Sequence, residues 1–171
     1  MIIRLERAIP DDVQDYLFLY KQEHLNLIYT WEGSEERSMG SRSHDWYFGD
    51  EGATKITKDD FYREIFSPNH CKFMIRFYED KKSKYASTIG YIEVERIRNS
   101  TYRIIDWVMT APQYKNMVWK ALLKEKLTGC KKFSIYMSGD KPTVEWLENL
   151  GFKKPKSAQY GIYTKQAFDD I

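Results

Sequence analysis

Three runs rich in β-branched and aromatic residues, Phe73–Tyr78, Ser87–Arg98 and Tyr102–Met109, follow one another closely. Only a charged turn around Glu79–Lys84 and the pair Asn99-Ser100 separate them. Connections this short cannot carry a parallel crossover, so the runs are expected to pair as an antiparallel meander. Everything else in the chain has to pack against that sheet.

Before the meander, Ile2-Ile3-Arg4-Leu5 alternates like a short strand, and Pro10-Asp11-Asp12 opens a helix with acids at its positive end. Val13, Tyr16, Leu17, Tyr20, His24, Leu27 and Ile28 recur at three-to-four spacing, as one buried helix face does. From Thr30 to Thr54 the chain turns rich in Gly, Ser and charge around His44-Asp45-Trp46-Tyr47-Phe48, which predicts a long loop. Thr57 with Asp60 resembles a capping box for a short helix through Phe61, Ile65 and Phe66, closed by Pro68. After the meander, Pro112 breaks the strand, and Met117, Ala121, Leu122, Glu125 and Leu127 predict a helix ending near Gly129. Lys131–Met137 reads as a strand, Lys141–Leu150 as a helix closed by Gly151, and Tyr160–Thr164 as a last strand. This order predicts an α+β domain with a mixed central sheet. At 171 residues, residues 1–171 are expected to form one domain.

Composition narrows the class. A hydrophobic fraction of 42%, with 16% aromatic, is incompatible with a disordered chain. Net charge is only +2, but residues 115–156 hold ten lysines against four acids and no arginine. That stretch allows weak non-specific contact with nucleic acid through phosphates, and arginine, the better base reader, is missing from it. Solvated lysines around a nucleotide-bearing groove explain the same charges. Two distant cysteines, Cys71 and Cys130, make neither a CxxC pair nor a disulfide framework. The opening residues lack a basic-then-apolar leader, and no run of eighteen apolar residues occurs, so a cytoplasmic protein without membrane contact is expected.

Four places resemble the GNAT acyltransferase superfamily: Ile3-Arg4-Leu5-Glu6-Arg7-Ala8 with Pro10-Asp11-Asp12, Pro112-Gln113-Tyr114-Lys115 after an apolar strand, Leu150-Gly151-Phe152 closing a helix, and the Tyr160–Thr164 strand. The resemblance implies a mostly antiparallel sheet with helices on both faces, and an N-acyltransferase that uses acetyl-CoA or another acyl-CoA. The acceptor would be an amine-bearing small molecule or a protein. It also implies that the backbone of Val108, Met109 and Thr110 binds the pantetheine, and that the next helix start meets the pyrophosphate. Where such proteins carry a glycine-rich turn, this chain reads Asn116-Met117-Val118-Trp119-Lys120. Phosphate binding is therefore expected from the helix start, Lys115 to Val118, with the side chains of Lys115, Asn116 and Lys120. A solvated amphipathic helix face is the competing reading of those lysines. Leu147 stands where many members have the tyrosine that protonates the leaving thiolate, and Asp140 where they often have asparagine. These two departures leave a second reading open, a catalytically inactive domain that binds a protein or nucleic acid.

Asp106, set between Ile105 and Trp107, is the candidate general base, with pairing to a neighbour such as Arg103 as the alternative. Tyr160 is the candidate replacement acid, and Tyr163 lies on the same strand. His44, Trp46 and Tyr47 are expected to line the acceptor pocket. The three histidines, at 24, 44 and 70, lack metal-site spacing, so no metal is expected. His24 reads as a core residue, His70 as part of a turn after Pro68-Asn69, and Cys130 as a small hydrophobe.

Overall fold

In the computed structural model, which describes residues 1–24, 56–98, 100–125, 127–136, 148–154 and 162–166, the meander forms as its short turns require. Strand β1 (Ile2–Arg7) pairs antiparallel with β2 (His70–Tyr78), β2 with β3 (Ser87–Arg98), and β3 with β4 (Thr101–Met109). Strand β5 (Lys132–Tyr136) joins β4 in parallel, and β6 (Ile162–Gln166) pairs antiparallel with β5. The sheet order is therefore β1-β2-β3-β4-β5-β6, with one parallel pair.

Helix α1 (Val13–His24) and helix α2 (Lys58–Ile65) cover one face, and helix α3 (Lys115–Lys124) covers the other. Strand alternation decides which residues meet which helix. Phe73 and Ile75 join Val118, Trp119 and Leu122 of α3, while Met74 between them joins Tyr16 and Tyr20 of α1 and Phe61 of α2. The capping box that starts α2 is present. Asp60 N–H donates to Thr57 Oγ1 at 3.2 Å, and Thr57 N–H donates to Asp60 Oδ2 at 2.8 Å. The Thr57 N–H donated to the Asp60 carboxylate is the main reason that carboxyl has a pKa below the ordinary aspartate value.

Several element bounds differ from the sequence reading. Strand β2 begins at His70, three residues before Phe73, so His70 is not part of a turn. Helix α3 stops at Lys124, well short of Gly129, whose φ of 69° belongs to the turn leading into β5. The last strand runs Ile162–Gln166, two residues beyond the expected end at Thr164, and Tyr160 and Gly161 lie outside the described residues. Residues 30–54, and all but the end of the helix expected over Lys141–Leu150, lie outside the described residues.

Candidate active site

Strand β4 carries one residue more than β3 at its middle. Glu93 pairs with Asp106, but the next residue, Val94, pairs with Ile104, which leaves Ile105 as the extra residue of a β-bulge. A one-residue slip exchanges the two faces of a strand. Tyr102 and Ile104 face α3, and beyond the bulge Trp107 and Met109 do so. Asp106 and Val108 are thereby turned to the α1–α2 face, beside Tyr91. In regular alternation Asp106 would have entered the apolar core under α3.

Among the described residues, β5 pairs with β4 only over Thr101–Ile104. From Ile105 to Met109 the β4 edge on that side has no described strand beside it. Thr110 N–H donates to Ile89 O at 2.8 Å, so Thr110 and Val108 direct their backbone groups to β3. Alternation then turns the backbone groups of Trp107 and Met109 to the other edge of β4. Asp106 Oδ1 accepts the Trp107 N–H there at 3.0 Å, which sets a wholly buried carboxylate just beyond the last described β4–β5 pair. Its Oδ2 accepts the Tyr91 hydroxyl at 2.7 Å. Arg103, the partner considered from sequence, is exposed.

Gly90 permits this approach of β3 and β4. A Cβ there would lie 2.0 Å from Val108 O, so only glycine fits opposite Met109. Past Thr110 the chain makes a 3-10 turn, Pro112–Tyr114, and enters α3 at Lys115. Tyr114 packs its ring 5.7 Å from Phe77 and contributes no side-chain cap to the helix. The Lys115 side chain is largely covered, and burial pushes its ammonium below the ordinary lysine pKa. Asn116 and Lys120 are exposed, and Met117 packs partly on the core. Val118 is wholly buried under the sheet, so it can offer a ligand only its backbone.

A second polar cluster lies on the α1–α2 face, in the cross-strand row that ends at Asp106. Lys72 of β2 stands opposite Glu93 of β3, and Glu93 opposite Asp106 of β4. Glu93 Oε1 accepts the Tyr16 hydroxyl, and Oε2 lies 2.9 Å from both Lys72 Nζ and His70 Nε2. Lys72 Nζ also donates to Glu64 Oε2 of α2, and lies 4.5 Å from the centre of the Tyr16 ring. Glu64, His70 and Glu93 bring potential metal-ligand atoms within 4.8 Å of one another. Histidine spacing in the sequence could not disclose this group, because its members come from a helix and two strands. The Lys72 ammonium sits among those atoms and supplies the positive charge such a cluster needs.

The remaining sequence candidates divide simply. Tyr160, His44, Trp46 and Tyr47, proposed for catalysis and acceptor binding, lie outside the described residues. Cys130 packs partly against the core, and burial raises its thiol pKa. Burial also raises the Cys71 thiol, despite the Arg7 guanidinium 3.2 Å from its sulfur. Sequence reading missed Tyr91, Glu93, Lys72 and the backbone of Trp107. A charged residue opposite another on adjacent strands was the only signal for the pair Lys72–Glu93, and it needed the register to be seen.

No family model and no curated protein matches this sequence. Solved structures do match its fold. PaiA N-acetyltransferase from Thermoplasma acidophilum, in complex with coenzyme A, superposes with a TM-score of 0.62 at 15% identity, covering 97% of this chain and 99% of the other. Spermidine N-acetyltransferase from Vibrio cholerae, in complex with CoA and spermine, gives 0.63 at 10% identity over 96% and 95%. FdhC, a nucleotide-linked sugar GNAT, gives 0.59 at 15% identity over 96% and 86%. With its mostly antiparallel six-stranded sheet, its single parallel pair β4–β5 and helices on both faces, this chain has the fold of the GNAT N-acetyltransferases.

Proposed function

We propose that the protein is an N-acyltransferase that moves an acetyl or other acyl group from coenzyme A to an amine. The observation that carries this reading is the buried Asp106 carboxylate, turned by the bulge to the α1–α2 face just beyond the last described β4–β5 pair. The residues present fit the coenzyme. An extended chain containing amides can add to the edge of β4 as a strand would, using the backbone groups of Met109. Phosphates suit the α3 start, where Lys115, Asn116 and Lys120 stand in for a glycine-rich turn. Val108 and Thr110 keep Met109 in place through their hydrogen bonds to β3.

Bound coenzyme A would supply the acyl group as a thioester. Asp106 takes the proton that the attacking amine loses as nitrogen bonds to the acyl carbon and the carbon–sulfur bond breaks. We assign the return of a proton to the leaving thiolate to Tyr160. His44, Trp46 and Tyr47 are our candidates for the acceptor side. The likeness to acetyltransferases crystallised with polyamine or coenzyme supports an amine acceptor, small or on a protein. No described helix is long and apolar enough to cross a membrane, which agrees with a cytoplasmic pool of acyl-CoA as the donor. The exposed lysines of α3 would give nucleic acid only weak, salt-sensitive contact.

Calorimetric titration with acetyl-CoA tests the reading. Binding weakened by Lys115→Ala and Lys120→Ala together supports it. Binding of pantetheine with no contribution from the nucleotide half would refute the phosphate site. Coenzyme binding without thiol release for any amine would identify a non-catalytic binding domain.

A further inference from the structure

Asp106 does not stand alone on its face of the sheet. Tyr91 lies on the neighbouring strand β3, paired with Val108, and both Tyr91 and Asp106 are completely buried. The Tyr91 hydroxyl donates to Asp106 Oδ2 at 2.7 Å while the Trp107 N–H donates to Oδ1 at 3.0 Å. One donor on each oxygen fixes the rotation of the carboxylate about its Cβ–Cγ bond.

Tyr91 is itself braced. Its ring lies 4.6 Å from the Tyr16 ring, inclined at 49°. The Tyr16 hydroxyl is held by Glu93, and Glu93 by Lys72 and His70. A continuous series of contacts therefore leads from the charged cluster through two stacked tyrosines to the carboxylate. Packed side chains of this kind hold one rotamer each, and a carboxylate that must meet an amine in a defined orientation benefits from that restriction.

We propose that Tyr91 is the positioning residue for Asp106, its hydroxyl setting the carboxylate in the orientation that accepts the acceptor amine's proton. This rests on the acyltransferase reading above and adds to it a residue on β3 that no sequence motif marks. Tyr91 acts through Asp106 and exchanges no proton with substrate. Among the described residues, Glu93 on β3, Lys72 and His70 on β2, Glu64 on α2, and Tyr16 and Tyr20 on α1 share this face with the pair.

The test is turnover of Tyr91→Phe, which keeps the ring and its contact with Tyr16 and removes only the hydroxyl. Activity is normalised to folded protein, and Tyr91→Met replaces it should phenylalanine not fold. The expected result is a fall in kcat of roughly 10–10²-fold, with the KM for acyl-CoA unchanged. In an Asp106→Asn background the same change should have no further effect on rate, as residues acting as one unit are not additive. Unchanged kcat in Tyr91→Phe, or a loss that adds to that of Asp106→Asn, would overturn the proposal while leaving the acyltransferase reading intact. If Asp106→Asn retains full turnover, or if the unaltered protein binds acyl-CoA and releases no thiol with any amine, that reading fails and the role of Tyr91 with it.

Discussion

Replacing Lys72 with methionine removes the ammonium from the charged cluster and keeps most of the side chain's volume. Both the Lys72 and Glu93 side chains are fully buried, and their atoms lie 2.9 Å apart. Without Lys72, Glu93 keeps the Tyr16 hydroxyl and His70 but loses the Lys72 ammonium, and Glu64 loses its ion pair with Lys72 while His70 stays 3.9 Å away. Leaving one member of a buried ion pair uncompensated costs about 3–5 kcal/mol. In a domain of this length each kcal/mol lowers Tm by about 2–4 °C, so a fall of roughly 6–20 °C is expected. Thermal melting at neutral pH, followed by far-ultraviolet circular dichroism, measures it. The double variant Lys72→Met/Glu93→Gln should recover much of the loss, since a neutral amide needs no counter-charge. A Tm shift under about 2 °C for Lys72→Met would refute the argument that this charge balances Glu93.

Lys115 gives the opposite sign. Burial lowers its pKa, so the folded state binds fewer protons than the unfolded state between the lowered value and the ordinary 10.5. Its destabilising effect is full below the folded pKa and disappears as pH rises past the ordinary value. Lys115→Met should therefore raise Tm at neutral pH, with a gain that shrinks toward alkaline pH, while weakening acyl-CoA binding in calorimetry. Gly90→Ala puts a methyl group on the Val108 carbonyl and should cost about 1–3 kcal/mol by overpacking, read as a lower denaturant midpoint together with weakened acyl-CoA binding. Both thiols are raised by burial, so Ellman's reagent should label Cys71 and Cys130 slowly in the native protein and both rapidly in denaturant. A fast native thiol would contradict that placement.

The sequence disclosed what is local. Short polar turns announced the β2–β3–β4 meander, Thr57 and Asp60 announced the start of α2, and apolar neighbours on both sides singled out Asp106, which the structure buries. It could not disclose what depends on register. Ile105 looks like any strand residue, yet as the extra residue of the bulge it decides which face Asp106 enters. His70-Cys71-Lys72 reads as a polar lead-in to a strand. Glu64 and Glu93, from different elements, neutralise Lys72 and bind His70, and so allow β2 to begin at His70. The lysines at the start of α3 were visible as charges, but the covering of Lys115 was not.

Asp106→Asn, with Tm and thiol release measured on one sample, tests the proposed chemistry most directly. The amide is nearly isosteric with the carboxylate and can still meet the Tyr91 hydroxyl. The fold and acyl-CoA affinity should therefore persist while turnover per folded molecule falls by roughly 10²–10⁴-fold, the usual contribution of a general base. The deficit should narrow at high pH, where the amine is already neutral. A variant that melts lower but turns over at the full rate per folded molecule would contradict the account and leave Asp106 a structural residue of the bulge.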